Sequence, residues 1–391
     1  MKSKKHILPL IVISQFFCTS LWFAGNGVMQ NLVNTFDLEE SALGNLTVAV
    51  QFGFISGTLI FALLSIADRF SPSKVFFISA ILGAIFNLGL ILDYQTEFSL
   101  ISFRFFTGLF LAGIYPVGMK IATDYYQKGL GKALGFLVGA LVLGTALPHL
   151  LKNILIDFSW KSVLISTSAL ATLGGFLMFF FIKDGPYREP SKKLDLSVCF
   201  KIFKIKKFKT AAFGYFGHMW ELYAFWAFVP ILLNIYQKTH NGVALNVPLL
   251  SFFIIAIGSL SCVFSGYISE FLGLKKTAIT FLLLSGICCL ISPFLFQVEN
   301  QNIFIGFLFF WGLVVIADSP IFSTLVAQNA PIKEKGTALT IVNCIGFTIT
   351  IISIEIINIL KINSDSNFIF IILGIGPGLG LIALIKEKKL Q

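Results

Sequence analysis

The chain has 391 residues, of which 56% are apolar and only 12% charged, with a formal net charge of +10. Soluble domains run near 45–50% apolar with glycine counted and about 25% charged, whereas the apolar share here leaves out 33 glycines. That composition excludes a soluble globular protein and implies an integral membrane protein. The six cysteines, Cys18, Cys199, Cys262, Cys288, Cys289 and Cys344, form no Cys-x-x-Cys pair and no His-spaced pattern. No disulfide framework, metal site or cofactor is therefore expected.

A spanning helix needs roughly 20 mainly apolar residues. In chain order the sequence offers twelve such runs, near 6–29, 42–67, 74–92, 101–122, 131–151, 161–182, 210–236, 248–271, 276–296, 302–326, 337–360 and 367–385. They are numbered here as spans one to twelve. The first follows Met-Lys-Ser-Lys-Lys but continues too far, without a small-residue cleavage site, to be a signal peptide, so it is expected to be retained. A barrel would need alternating segments of about ten residues, and these runs are longer and uniformly apolar. The fold class is all-α, with twelve transmembrane helices.

Positive charge sets the orientation. With the N-terminus inside, 23 of the 29 Lys and Arg fall in inner loops and tails, while Lys152, Lys161, Lys238 and Lys361 fall outside. Both termini are expected in the cytoplasm of a bacterial inner membrane. The net charge is then a topology signal and an attraction to anionic lipid, with no call for nucleic acid. The longest polar segment, 183–209, carries nine basic and three acidic residues. It reads as a cytoplasmic linker between six-span units at 1–182 and 210–391.

The loop after span two runs Leu64-Ser-Ile-Ala-Asp68-Arg69-Phe70-Ser71-Pro72-Ser73-Lys74, and the loop after span eight runs Gly266-Tyr-Ile-Ser-Glu270-Phe-Leu-Gly273-Leu-Lys275-Lys276. In both, an acid ends a span and a base follows six residues later, at an offset of 202. Asp68, Arg69 and Lys74, and again Glu270, Lys275 and Lys276, can latch neighbouring helices through charge-assisted hydrogen bonds. Twice at equivalent places, the pattern points to an internal duplication.

These motifs resemble the major facilitator superfamily over the whole chain. The second loop is similar to the family's Gly-x-x-x-Asp-x-x-Gly-x-Arg/Lys signature, with Glu270 in the acid position. The first has Leu64 and Ser71 where glycines are usual. Arg104-Phe-Phe-Thr-Gly108 on span four is similar to the family's Arg-x-x-x-Gly motif. Gly217–Tyr223 and Ala317–Ser323 resemble a bacterial branch beside nitrate/nitrite and cyanate porters. The resemblance implies two pseudo-symmetric six-helix bundles around a cavity lined by spans one, four, seven and ten, working by alternating access.

Ionisable groups within spans cost several kcal/mol unless they face a cavity or a partner. Arg104, Lys120, His218, Glu221 and Asp318 all lie on the implied cavity spans; Glu355, on span eleven, does not. Glu221 is on the order of 16 Å into span seven at 1.5 Å per residue, with His218 one turn earlier on the same face. The pair fits proton coupling, as does Asp318; a structural lock is the alternative. Asp318-Ser319-Pro320 leaves a carbonyl free, and Ser319 and Ser323 share a face that could present oxygens to a ligand. Lys120, behind Tyr115-Pro116, could hold an anion or pair with Asp124. Arg104 is read as a substrate-side charge or a helix anchor. Trp22, Asn26 and Gln30, at four-residue spacing, form a stripe that could face Glu221, with Trp22 and Tyr223 as walls. His149 is read as interfacial, and Gly135, Gly139 and Gly144 as sites of close helix approach.

The function expected is a secondary transporter moving a small polar or anionic solute, proton-coupled and directed inward, acting as a monomer with solute, protons and lipid as partners. A drug–proton antiporter is the second transport reading. No nucleotide loop and no His-Glu-x-x-His occurs, so a membrane enzyme or transporter-like sensor is the non-transport alternative.

Overall fold

The computed structural model describes residues 6–39, 41–126, 130–188, 198–240, 242–331, 334–364 and 366–386. Of the charges counted toward topology, Lys2, Lys4, Lys5, Lys128, Lys192, Lys193, Lys333, Lys388 and Lys389 lie outside them, as does the central part of the 183–209 linker. The chain forms two compact units, Met1–Leu194 and Asp195–Gln391.

All regular structure among the described residues is helical. Eleven helices among the described residues are long and apolar enough to cross a membrane: Ala42–Leu63, Pro72–Gly89, Glu97–Tyr125, Leu130–Ile154 and Lys161–Phe181 in unit 1, with Lys206–Thr239, Val247–Leu272, Leu274–Leu295, Gln301–Asn329, Lys335–Asn363 and Asn367–Lys386 in unit 2. These are spans two to twelve. Span one differs from expectation. It is helical over Ile7–Thr19, breaks, and resumes as Ala24–Gly27 and Met29–Phe36. The physical reason lies on another helix: the Arg104 guanidinium donates to the Leu21 and Trp22 carbonyls, satisfying backbone that a broken helix leaves open in hydrocarbon.

Span ends follow local chemistry. Thr96 and Ser99 form a reciprocal capping box at the start of span four, and Asn246 and Asn300 accept from backbone amides at the starts of spans eight and ten, each satisfying an amide that has no intrahelical partner. Gly273 joins spans eight and nine at φ 80°, a left-handed geometry open to glycine at little cost. Its counterpart Ser71 is at φ −59°, and the positive φ of that turn falls instead on Ser65, at 51°. The first loop therefore has no need of glycine at position 71. Gly266, present in the second loop, has open space beside it, so it does not mark a close helix contact.

Close contacts come from other glycines. Within unit 1, spans two and four touch backbone to backbone: a Cβ on Gly53 would overlap the Phe105 carbonyl, one on Gly57 the Leu109 carbonyl, and one on Gly108 the Val50 carbonyl. Within unit 2, a Cβ on Gly312 would overlap the Ile254 carbonyl. Gly108 and Val50 map onto Gly312 and Ile254 at one offset, 204. Span four breaks after Leu111 and restarts at Tyr115-Pro116; span ten breaks at Asp318 and restarts at Ser319-Pro320. The two prolines keep the same offset, so each unit repeats one crossing and one kink. Of the span-five glycines, Gly144 lies against Thr19 and Phe16 of span one, whereas Gly135 has open space.

Substituting Gly108→Leu should lower stability by about 1–3 kcal/mol or more, since the side chain has a carbonyl in its way. Gly306→Ala, with nothing within 4 Å, should be neutral or stabilising by about 0.5–1 kcal/mol through helix propensity. Thermal unfolding of the two detergent-purified variants checks the contrast.

Candidate functional site

Span seven, the helix Lys206–Thr239, carries His218, Glu221 and Tyr223, all buried. Residues three apart on a helix point about 60° apart, so His218 and Glu221 reach different places. His218 Nδ1 lies 2.7 Å from Asp318 Oδ1, and both side chains are 1% exposed. Glu221 Oε1 accepts from Trp311 Nε1 at 2.6 Å, with Ser285 and Cys289 beside it. The expected His218–Glu221 proton partnership is thus replaced by two parallel links from span seven to span ten. Spans seven and ten run antiparallel, so Trp311, two turns before Asp318, meets the later residue of the span-seven pair.

Asp318 owes its position to the span-ten break, where it stands as the residue before the helix Ser319–Asn329. Its carboxylate does not cap that helix. It is left to His218, whose ring packs near Tyr215 and Phe322. His218 Nε2 is buried without a hydrogen-bond partner. Ser323 donates to the Ser319 carbonyl at 3.1 Å, within its own helix. Tyr223 packs against Trp226 and Phe347, each at 5.2 Å between ring centroids.

In unit 1 the span-four charges Arg104 and Lys120 have protein partners. Arg104 is fully buried against span one as described, with its Nε unpaired and its side chain against Gly25. Lys120 lies 3.0 Å from Asp68 and 3.5 Å from Asp124. The latch acid Asp68 therefore pairs with span four, while Arg69 and Lys74 are exposed and make no ion pair among the described residues. Arg188 closes the same cluster: it donates to the Asp68 carbonyl at 2.9 Å and the Phe70 carbonyl at 2.8 Å, and pairs with Asp184. Ser71 donates to Asp184 at 2.6 Å. The second copy differs, for Glu270 is exposed and has no ion pair among the described residues.

Trp22, Asn26 and Gln30 do not form one continuous stripe, because the span-one break begins before Trp22 and Val28 interrupts it again. Trp22 packs on Phe54 at 4.7 Å and Asn26 donates to Thr47 at 2.7 Å, both buried against span two. Gln30 is exposed and donates to Asn34. Tyr115 is half-buried at the restart of span four. His149 is buried within span five, five residues before its end. Its neighbours Leu147 and Pro148 are buried with it.

Sequence reasoning passed over Trp311, Arg188 and two buried glutamines. Gln15 and Gln51 are fully buried with neither amide atom hydrogen-bonded, and Gln15 faces Gly118 of span four. Uncharged amides do not stand out in a charge census. A search for polar groups at seven-residue spacing would have tied Trp311 to Asp318.

The sequence profile described as Major Facilitator Superfamily matches residues 11–354. Among curated proteins, none matches the chain. Among solved structures, the chain is similar to a bacterial homolog of the human lysosomal transporter Spinster, in an inward-facing and unoccupied conformation. The TM-score is 0.67 at 15% identity, over 98% of this chain and 95% of that one; at that identity the likeness is one of fold.

His218→Gln and Asp318→Asn should each destabilise the protein, and the double variant should cost less than the two summed. A coupling of about 0.5–3 kcal/mol is expected for side chains in direct contact. Unfolding of the four proteins of that cycle, in one detergent, measures it.

Proposed function

The chain belongs to the major facilitator superfamily and is a multi-pass membrane transporter, and from that premise we propose that it is a proton-coupled secondary transporter taking up a small polar or anionic solute by alternating access. The observation that carries this reading is the buried His218–Asp318 contact at 2.7 Å, with the buried Glu221 one helical turn along span seven. A histidine facing a carboxylate holds its proton in a geometry that depends on both partners, and it can pass that proton on. A second proton on the carboxylate removes the ion pair, so the link between spans seven and ten is protonation-dependent. If the carrier states differ in how tightly that link closes, proton binding and solute binding share one conformational equilibrium.

Of the two cargo classes, the polar one has the better support. Lys120 stands between two carboxylates and Arg104 is held by two carbonyls, so neither is a ready cation for an anion. The excess of Lys and Arg in alternate loops supports the reading of both termini in the cytoplasm of a bacterial inner membrane, and two six-span units in one chain support the reading of a monomeric carrier. Drug–proton antiport is favoured by one observation: the buried acids keep aromatic company, with Trp311 and Phe225 tilted against each other at 4.6 Å between ring centroids beside Glu221.

Proteoliposomes enclosing a pH dye test the reading with a panel of sugars, amino acids, monocarboxylates and lipophilic cations. A co-transported solute should acidify the lumen as it enters. Glu221→Gln and Asp318→Asn should abolish that acidification while solute exchange at equal pH persists. Lys120→Gln should retain it if the cargo is neutral. Unchanged acidification in both acid variants would remove the coupling role, and alkalinisation by lipophilic cations would select antiport.

A further inference from the structure

We propose that unit 2 carries, at its lysine-rich end, a binding site for a phosphate group on a ligand of headgroup size. A cavity of about 230 Å³ lies between the starts of spans seven and nine and the ends of spans ten and twelve. Lys207 and Lys275 supply charge, Thr210 and Asn329 supply further polar groups, and Leu325 and Leu384 form apolar wall. The volume falls below the roughly 300–1,000 Å³ of sites for drug-sized ligands, which suits a phosphate with a short organic stem.

Charge and backbone point the same way. The two segments that bring the lysines, 198–210 and 266–276, hold seven lysines and one acid, Glu270. Lys207 is the second residue of the helix Lys206–Thr239, and Lys275 the second of the helix Leu274–Leu295. Neither helix start has a side-chain cap. A helix start also presents the positive end of the helix dipole, which favours an anion there. Lysine binds phosphate as a point charge, and basic pockets between transmembrane helices take anionic lipid headgroups. The apolar wall favours a lipid source over a free phosphate ester. So do Phe200 at 79% and Phe271 at 87% exposure in the same two segments, since apolar side chains beside lysines can bury into the headgroup boundary. Its lining residues Ala211 and Leu325 lie about two helical turns from His218 and Asp318, and the site stands whether or not the carrier is proton-coupled.

The test is thermal unfolding of the full chain in a neutral detergent, titrated separately with phosphatidylglycerol, diacylglycerol and glycerol 3-phosphate. A ligand of the folded state raises the melting temperature saturably. Phosphatidylglycerol should do so and diacylglycerol should not. Lys207→Gln should raise the half-saturating concentration about tenfold, the equivalent of about 1.4 kcal/mol, and Lys207→Gln/Lys275→Gln further. Lys74→Gln, which changes an exposed lysine in unit 1, should leave it unchanged. Stabilisation by glycerol 3-phosphate with the same lysine dependence would assign the site to a soluble phosphate ester. The proposal is overturned if neither phosphate compound stabilises the protein, if Lys207→Gln titrates like the parent chain, or if Lys74→Gln weakens binding equally. Should the double variant fail to fold, Lys207→Gln alone decides.

Discussion

Hydrocarbon offers no partner to a peptide carbonyl or a charged side chain, and the polar interior of each unit is arranged around that deficit. Where span one breaks, Arg104 supplies the donors that the carbonyls of Leu21 and Trp22 lack. Where span ten breaks, Asp318 becomes a buried carboxylate beside His218. At both places a side chain on a neighbouring helix of the same unit meets the irregular stretch, so candidate site residues coincide with helix breaks.

The two units solve this with one skeleton and opposite chemistry. Both have a crossing of a glycine on a carbonyl at an offset of 204, and both kink the following helix at a proline. In unit 1 the buried cation sits on span four and reaches back to span one. In unit 2 the buried acid Glu221 sits on span seven and is met by Trp311 from span ten. The acids of the repeated loop diverge as well, since Asp68 is drawn into a cluster with Lys120 and Arg188 while Glu270 stays exposed.

Much of the fold was legible because membrane helices are written in composition: long apolar runs, polar breaks and lysine-rich inner loops. The spans Leu130–Ile154, Lys161–Phe181 and Val247–Leu272 depart from the expected bounds by at most a few residues. The breaks within spans one and four were not legible, because hydropathy is blind to a lost backbone hydrogen bond. At the site, charge alone singled out Arg104, Lys120, His218, Glu221 and Asp318, but not their pairing. Pairing depends on which neighbour each helix face meets, as His218 and Glu221 show by diverging after a single turn. Gln15 and Gln51 escaped notice because an amide leaves little mark on a charge count.

The offset between the halves is itself a record. It is 204 at the glycine crossing, 202 at the inner loop and 204 again at the prolines. Unit 1 is therefore two residues longer between the crossing and the loop, where the short helix Ile66–Arg69 follows the Ser65 turn, and unit 2 is two residues longer between the loop and the second side of its crossing on span ten. Length has drifted in the turns while the crossing has stayed in register. A glycine seated on a carbonyl admits no slippage by one residue, because the next side chain would collide. In evolutionary terms these crossings are the fixed marks against which the duplicated halves have been free to diverge.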